Sequence, residues 1–125
     1  MKTDIAIIGM SCRFPDADSI CAYWENLKEG KQSIKQLSED ELKLSGISDT
    51  LYNQENYVRA ASYISDIEHF DAGFFKYSPR EAAILDPQQR IMLELSHEAL
   101  ESAGYNSEYN TQNVGVFMGA GYNQY

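Results

Sequence analysis

Two stretches of the chain are apolar without alternation: DIAIIGM at residues 4–10, ended by glycine, and VGVFM at residues 114–118. Runs of this kind predict strands covered on both faces, as in the middle of a parallel or mixed sheet. Between them the pattern turns helical. SICAYWENLKEG predicts a helix with Ser19 as N-cap and Gly30 as its stop. SEDELKLSG places Ser38 and Glu41 at capping-box spacing and predicts a short helix. Residues 45–65 are polar and turn-rich and predict no firm element, beyond a weak strand in YVRAASYI.

The densest local signal is SPREAAILDPQQR, residues 78–90. Ser78 can cap a helix with Pro79 at its first position and Glu81 reaching back. Asp86, Pro87 and Gln89 repeat that chemistry eight residues on. A residue before proline disfavours helix, so Leu85 and Asp86 break the first segment. The prediction is a short helix, a sharp turn, and a long helix to Ala103 stopped by Gly104.

On a helical wheel, Arg90, Glu94, His97, Glu98 and Glu101 form one narrow polar stripe. Ile91, Met92, Leu93, Leu95, Ala99, Leu100 and Ala103 cover about 200° of the remainder, against the roughly 100° that a surface helix needs. Such a helix expects neighbours on more than one side. Two buried strands alone are a marginal sheet with open edges. The rest of the chain offers too little to cover both, so it is expected to be part of a larger domain.

Composition narrows the functional classes. The chain has 125 residues, which bounds it to one domain over 1–125, and its formal net charge is -9. An acidic surface repels phosphate backbones and anionic lipid, so neither nucleic acid nor membrane is an expected partner. No apolar run is long enough to span a bilayer, and MKTDIAIIGM is too short and wrongly flanked for a signal peptide, so a soluble, cytoplasmic chain is expected. The two cysteines fit no metal or redox spacing and no disulfide framework.

Each candidate reactive group has a plainer explanation. Cys12, beside Arg13, has the setting of a low-pKa nucleophile, but a small side chain packed at a strand end explains it as well. Cys21 reads as packing. HEALE at residues 97–101 would need a second histidine where Glu101 stands to match the zinc-protease pattern. His97 is therefore expected at the rim of the polar stripe, and His69 on the surface. GAGY at residues 119–122 lacks the third glycine and the helix of a dinucleotide fingerprint, and reads as a strand exit. Glu39, Asp40 and Glu41 read as a solvated helix start. No nucleophile, base and orienter assemble from these residues.

The blocks DIAIIGMSCRFP, YWENLKEGKQSI, FDAGFFKYSPREAAILDPQQRIMLELSHEALESAGY and NVGVFMGAGYNQY resemble, in that order, the N-terminal portion of β-ketoacyl synthase (ketosynthase) domains of modular polyketide synthases and hybrid peptide–polyketide synthetases. The resemblance implies an α/β, thiolase-like fold, present in part as the N-terminal part of its first half. It implies a decarboxylative Claisen condensation of carrier-protein-bound acyl thioesters in the parent enzyme. Implied partners are an acyl carrier protein, the remainder of the ketosynthase domain and, in the parent, a second copy. Phosphopantetheine would arrive on the carrier protein, with no cofactor or metal bound directly.

The family's catalytic cysteine and two histidines fall beyond Tyr125, so no catalytic, cofactor or metal residue is carried onto this chain, and the piece itself is expected to be inactive. The turn at Asp86 to Arg90 is expected to shape a pocket. Arg90 is expected either to pair with Glu94 on the polar stripe or to hold the turn to parts of the domain that this chain does not contain. Lys76 and Tyr77 stand where the family more usually has a glycine and an apolar residue, and AASYI replaces a stretch usually richer in glycine. The alternative expectation is a non-catalytic scaffold or docking module with half a ketosynthase fold.

Overall fold

The computed structural model describes residues 4–105 and 113–122. Five helices and one small ladder follow in the order α1 (Ile20–Glu29), β1 (Lys35–Gln36), α2 (Glu39–Leu44), α3 (Asp49–Tyr52), β2 (Ala60–Ala61), α4 (Pro79–Ile84) and α5 (Pro87–Ser102).

Local chemistry sets the helix ends. Ser19 accepts the Ala22 amide at the start of α1, and Gly30, at φ 63°, ends it in the left-handed conformation. Both six-residue helices, α2 and α4, open on complete capping boxes, Ser38 with Glu41 and Ser78 with Glu81. Helices this short are poor nucleators by themselves, so satisfying two of the free N-terminal amide donors weighs heavily in each. Leu85, at φ −76° and ψ 125°, breaks the chain between α4 and α5. Asp86 caps α5 by accepting the Gln88 amide at 2.7 Å. Gln88, rather than the expected Gln89, is the side-chain partner of Asp86, with Nε2 donating to Oδ2 at 3.4 Å.

The two expected strands, residues 4–10 and 114–118, join no ladder. They lie open instead: Ile5 is 96% and Phe117 97% exposed. A strand apolar on both faces needs a paired neighbour on each edge and a cover on each face, and the described residues supply neither. The ladder that does form is antiparallel and short, pairing Lys35 with Ala61 and Gln36 with Ala60. The weak strand expected in YVRAASYI thus narrows to two residues.

Beside that ladder sits the best-packed cluster. Leu42 of α2 and Tyr52 of α3 are buried. Arg59 lies over the Tyr52 ring, 4.9 Å from its centroid, and its Nε donates to the Tyr52 carbonyl at 3.2 Å. The Tyr52 hydroxyl donates to Asp49 at 2.7 Å, which pushes the phenol up to about 12.

Helix α5 is the structural axis, half-buried from Ile91 to Leu100. The N-terminal segment crosses it at Gly9, where a β-carbon would lie 2.9 Å from the Ala103 β-carbon and meet the Ala99 carbonyl. Ser11 donates to the Leu95 carbonyl at 2.6 Å, and Arg13 grips both carboxylate oxygens of Glu98. On another side His97 meets the rings of Phe74 and Phe75 edge-on, at 4.8 and 6.4 Å. Helix α5 therefore has neighbours on its polar stripe, at His97 and Glu98, and on one part of its apolar arc, at Leu95, Ala99 and Ala103.

Candidate functional site

The turn between α4 and α5 is built around Arg90. The wheel put Arg90 on the polar stripe, yet it is buried, 6% exposed, together with Asp86 at 5%. Its Nε donates to the Leu85 carbonyl at 2.8 Å and its Nη1 to the Glu68 carbonyl at 3.4 Å. The first bond satisfies a carbonyl left free where the helix breaks. The second ties the turn to a loop 22 residues earlier in the chain. These bonds hold the turn within the chain itself, to partners that neither expected role named. A planar, always-charged fork suits two carbonyls at different angles.

Beside this turn runs an open apolar groove of about 630 Å³, between the first turns of α5 and residues 118–120. Ile64, Tyr77, Met92 and Met118 line it, with Gln88 at one end. Gln88 links its two walls: its Oε1 accepts the Gly121 amide at 2.9 Å while its Nε2 faces Asp86. Gly121 suits that approach, since a β-carbon there would stand 3.1 Å from the same oxygen. The GAGY stretch thus contacts the N-terminal turn of α5, and neither Gly119 nor Gly121 has a left-handed backbone.

The sequence candidates do not converge on this groove. Cys12 is half-buried, and burial pushes its thiol up; Arg13 pulls down more weakly, being held by Glu98. That is the reverse of an activated nucleophile. Cys21, expected to pack, is exposed: α1 buries none of its residues, and Phe14 meets the Tyr23 ring at a tilt, 4.3 Å between centroids. His69 is exposed and stands 3.6 Å from Asp66. His97 sits at the rim, 3.5 Å from Glu101. Glu41 belongs to its capping box, and Glu39 meets Arg59 at 3.3 Å. Hydrogen bonds from Ser38 and Ser78 hold the carboxyls of Glu41 and Glu81 below their usual range.

Among the described residues there is no cluster of three metal-ligating side chains, and no helix is long and apolar enough to cross a membrane. What sequence reasoning missed is the burial of Arg90 and the role of Gln88. Each has one partner more than twenty residues away, Glu68 for Arg90 and Gly121 for Gln88, and only the run of polar residues after Asp86 hinted at them.

Comparison with known proteins gives a consistent picture. The family model described as beta-ketoacyl synthase, N-terminal domain, matches residues 2–125. The chain is 45% identical over 120 residues to methylphloroacetophenone synthase of Cladonia uncialis, covering 95% of this chain and 5% of that protein. It is 40% identical to polyketide synthase PksN of Bacillus subtilis, over 97% of this chain and 2% of that one. Among solved structures, ketosynthase twelve from the bacillaene polyketide synthase of Bacillus amyloliquefaciens superposes with a TM-score of 0.71 at 43% identity, covering 80% of this chain and 18% of that chain. The chain thus spans a small part of the length of each of these relatives.

Proposed function

The chain belongs to the β-ketoacyl synthase family, with the thiolase-like fold in part, and from that premise we propose that it forms the N-terminal part of a ketosynthase in a cytoplasmic polyketide-type synthase. In the reaction of that enzyme, a cysteine outside this chain takes an acyl group from a carrier-protein thioester. A malonyl-type extender, held on carrier-protein phosphopantetheine, loses carbon dioxide. The carbanion so formed attacks the acyl-cysteine carbonyl, the cysteine sulfur leaves, and the chain grows by two carbons.

This chain's own residues take the supporting part. Arg90 and Asp86 set the angle between α4 and α5, and Gln88 holds residues 118–122 against α5 beside the apolar groove. The turn shapes a pocket and no residue here acts as a catalyst. The raised thiol of Cys12 supports this division. The open faces of residues 4–10 and 114–118 await the other strands of the domain, and a second copy completes the dimer of the parent.

The observation that carries the reading is the collinear match to ketosynthases along nearly the whole chain. An acylation assay tests it. The chain alone, offered an N-acetylcysteamine or carrier-protein thioester, should take up no acyl group. A homologous ketosynthase whose matching N-terminal segment is replaced by this chain should still acylate its own cysteine. A soluble, folded chimera without acylation, or acylation of the isolated chain, would overturn it.

A further inference from the structure

The two cysteines lie nine residues apart in the chain and read separately as isolated thiols, but the fold brings them to one place. Residues 14–17 double back, with Phe14 and Ala17 exchanging backbone hydrogen bonds at 2.9 and 3.0 Å. The Phe14 and Tyr23 rings meet at a tilt beside the resulting loop. Cys12 and Cys21 consequently line the same small cleft, of about 260 Å³, together with Met10, Ser11 and Glu98. Cys21 is exposed at the second position of α1, whereas Cys12 is half-buried. An oxidised sulfur on exposed Cys21 would thus have a second, half-buried thiol lining the same open cleft.

We propose that Cys12 and Cys21 form a redox-responsive pair that closes to an internal disulfide under a hydroperoxide oxidant. The Cys21 sulfur attacks the peroxide, the O–O bond breaks, and a sulfenic acid and one water result. The Cys12 sulfur then displaces that oxygen as a second water as the S–S bond forms. Two thiols are oxidised and one hydrogen peroxide is reduced to two waters. The bond would clamp the start of α1 to the N-terminal segment, beside the point where Arg13 and Glu98 dock that segment on α5. A thiol reductant reverses it.

The test is treatment of the chain with hydrogen peroxide, alkylation of remaining thiols, and mass analysis without reduction. The expected result is loss of two hydrogens, loss of both alkylatable thiols, and a linked pair of tryptic peptides, since trypsin cuts at Arg13 between the two cysteines. Cys12→Ser should stop at a sulfenic acid on Cys21 that a dimedone probe captures. The linkage should also form faster in buffer than in urea, where the cleft is absent. Independent oxidation of the two sulfurs, crosslinks only between molecules, or equal rates in buffer and urea would each overturn the proposal.

Discussion

Arg90 donates its Nε to the carbonyl of Leu85 at 2.8 Å, across the break between α4 and α5. A buried cation thereby serves as the C-terminal cap of one helix from inside the next. Removing it as Arg90→Ala leaves the Leu85 and Glu68 carbonyls without this donor, at a cost of about 1–3 kcal/mol. The urea midpoint should fall accordingly. Arg90→Lys should recover little, because an ammonium cannot reach both carbonyls with a planar fork. Full recovery by lysine would mean that charge alone holds the turn.

Lys76 occupies the left-handed region at φ 61°, at the end of the aromatic turn that places Phe74 and Phe75 against His97. It is also the position at which the family resemblance leads one to expect glycine. Lys76→Gly removes the strain of a side chain in that conformation, offset in part by the greater freedom of glycine when unfolded. The net gain should be up to about 1 kcal/mol, seen as a higher Tm. A lower Tm would mean that the Lys76 side chain contributes a contact worth more than the strain.

Gly9 lies flat on α5, and a β-carbon there meets the helix backbone and Ala103. Gly9→Ala should push the N-terminal segment off the helix and destabilise by about 1–3 kcal/mol. Limited trypsin digestion reads the change directly, because Arg13 is held by Glu98 in the docked segment. Faster cleavage after Arg13 is the expected outcome. Unchanged protection would show that α5 accommodates the methyl by shifting.

The capping carboxylates of Glu41 and Glu81 both titrate below their usual range. A depressed folded-state value means that their stabilisation is fully present above the ordinary glutamate value, about 4.3. It is lost as pH falls through the lower folded value. Helicity by circular dichroism should therefore decline in acid below that point. Glu81→Gln keeps a side chain able to close the box but cannot titrate, so its share of the acid-induced loss should vanish. An identical acid profile for the variant would place the loss elsewhere.

The sequence discloses what is decided within one helical turn. Ser19, Ser38 and Ser78 cap the helices expected of them, and Gly30 and Gly104 lie where helices stop with left-handed backbones. These outcomes depend on residues three or four apart, so the chain carries them explicitly. The β1–β2 pairing and the tie from Arg90 to Glu68 depend on residues brought from twenty or more positions away, which no local spacing encodes. The apolar runs at residues 4–10 and 114–118 were legible as sheet material, yet pairing requires neighbours that the described residues do not include. The candidate site was half legible: Asp86 and Pro87 marked the turn, whereas Gln88 and Arg90 acquired their roles only through Gly121, Leu85 and Glu68.

Those open runs also govern how the molecule behaves in a tube. Ile5, Ile7, Val116 and Phe117 present sticky ribbons to the solvent, and the repulsion from a net charge of -9 opposes their association. Protonating the carboxylates discharges that repulsion near the isoelectric point of about 4.5, above the lowered range in which the two capping boxes release. Precipitation should therefore precede helix loss on acidification. Added salt, which screens the repulsion and leaves the short capping bonds in place, should bring on clumping alone.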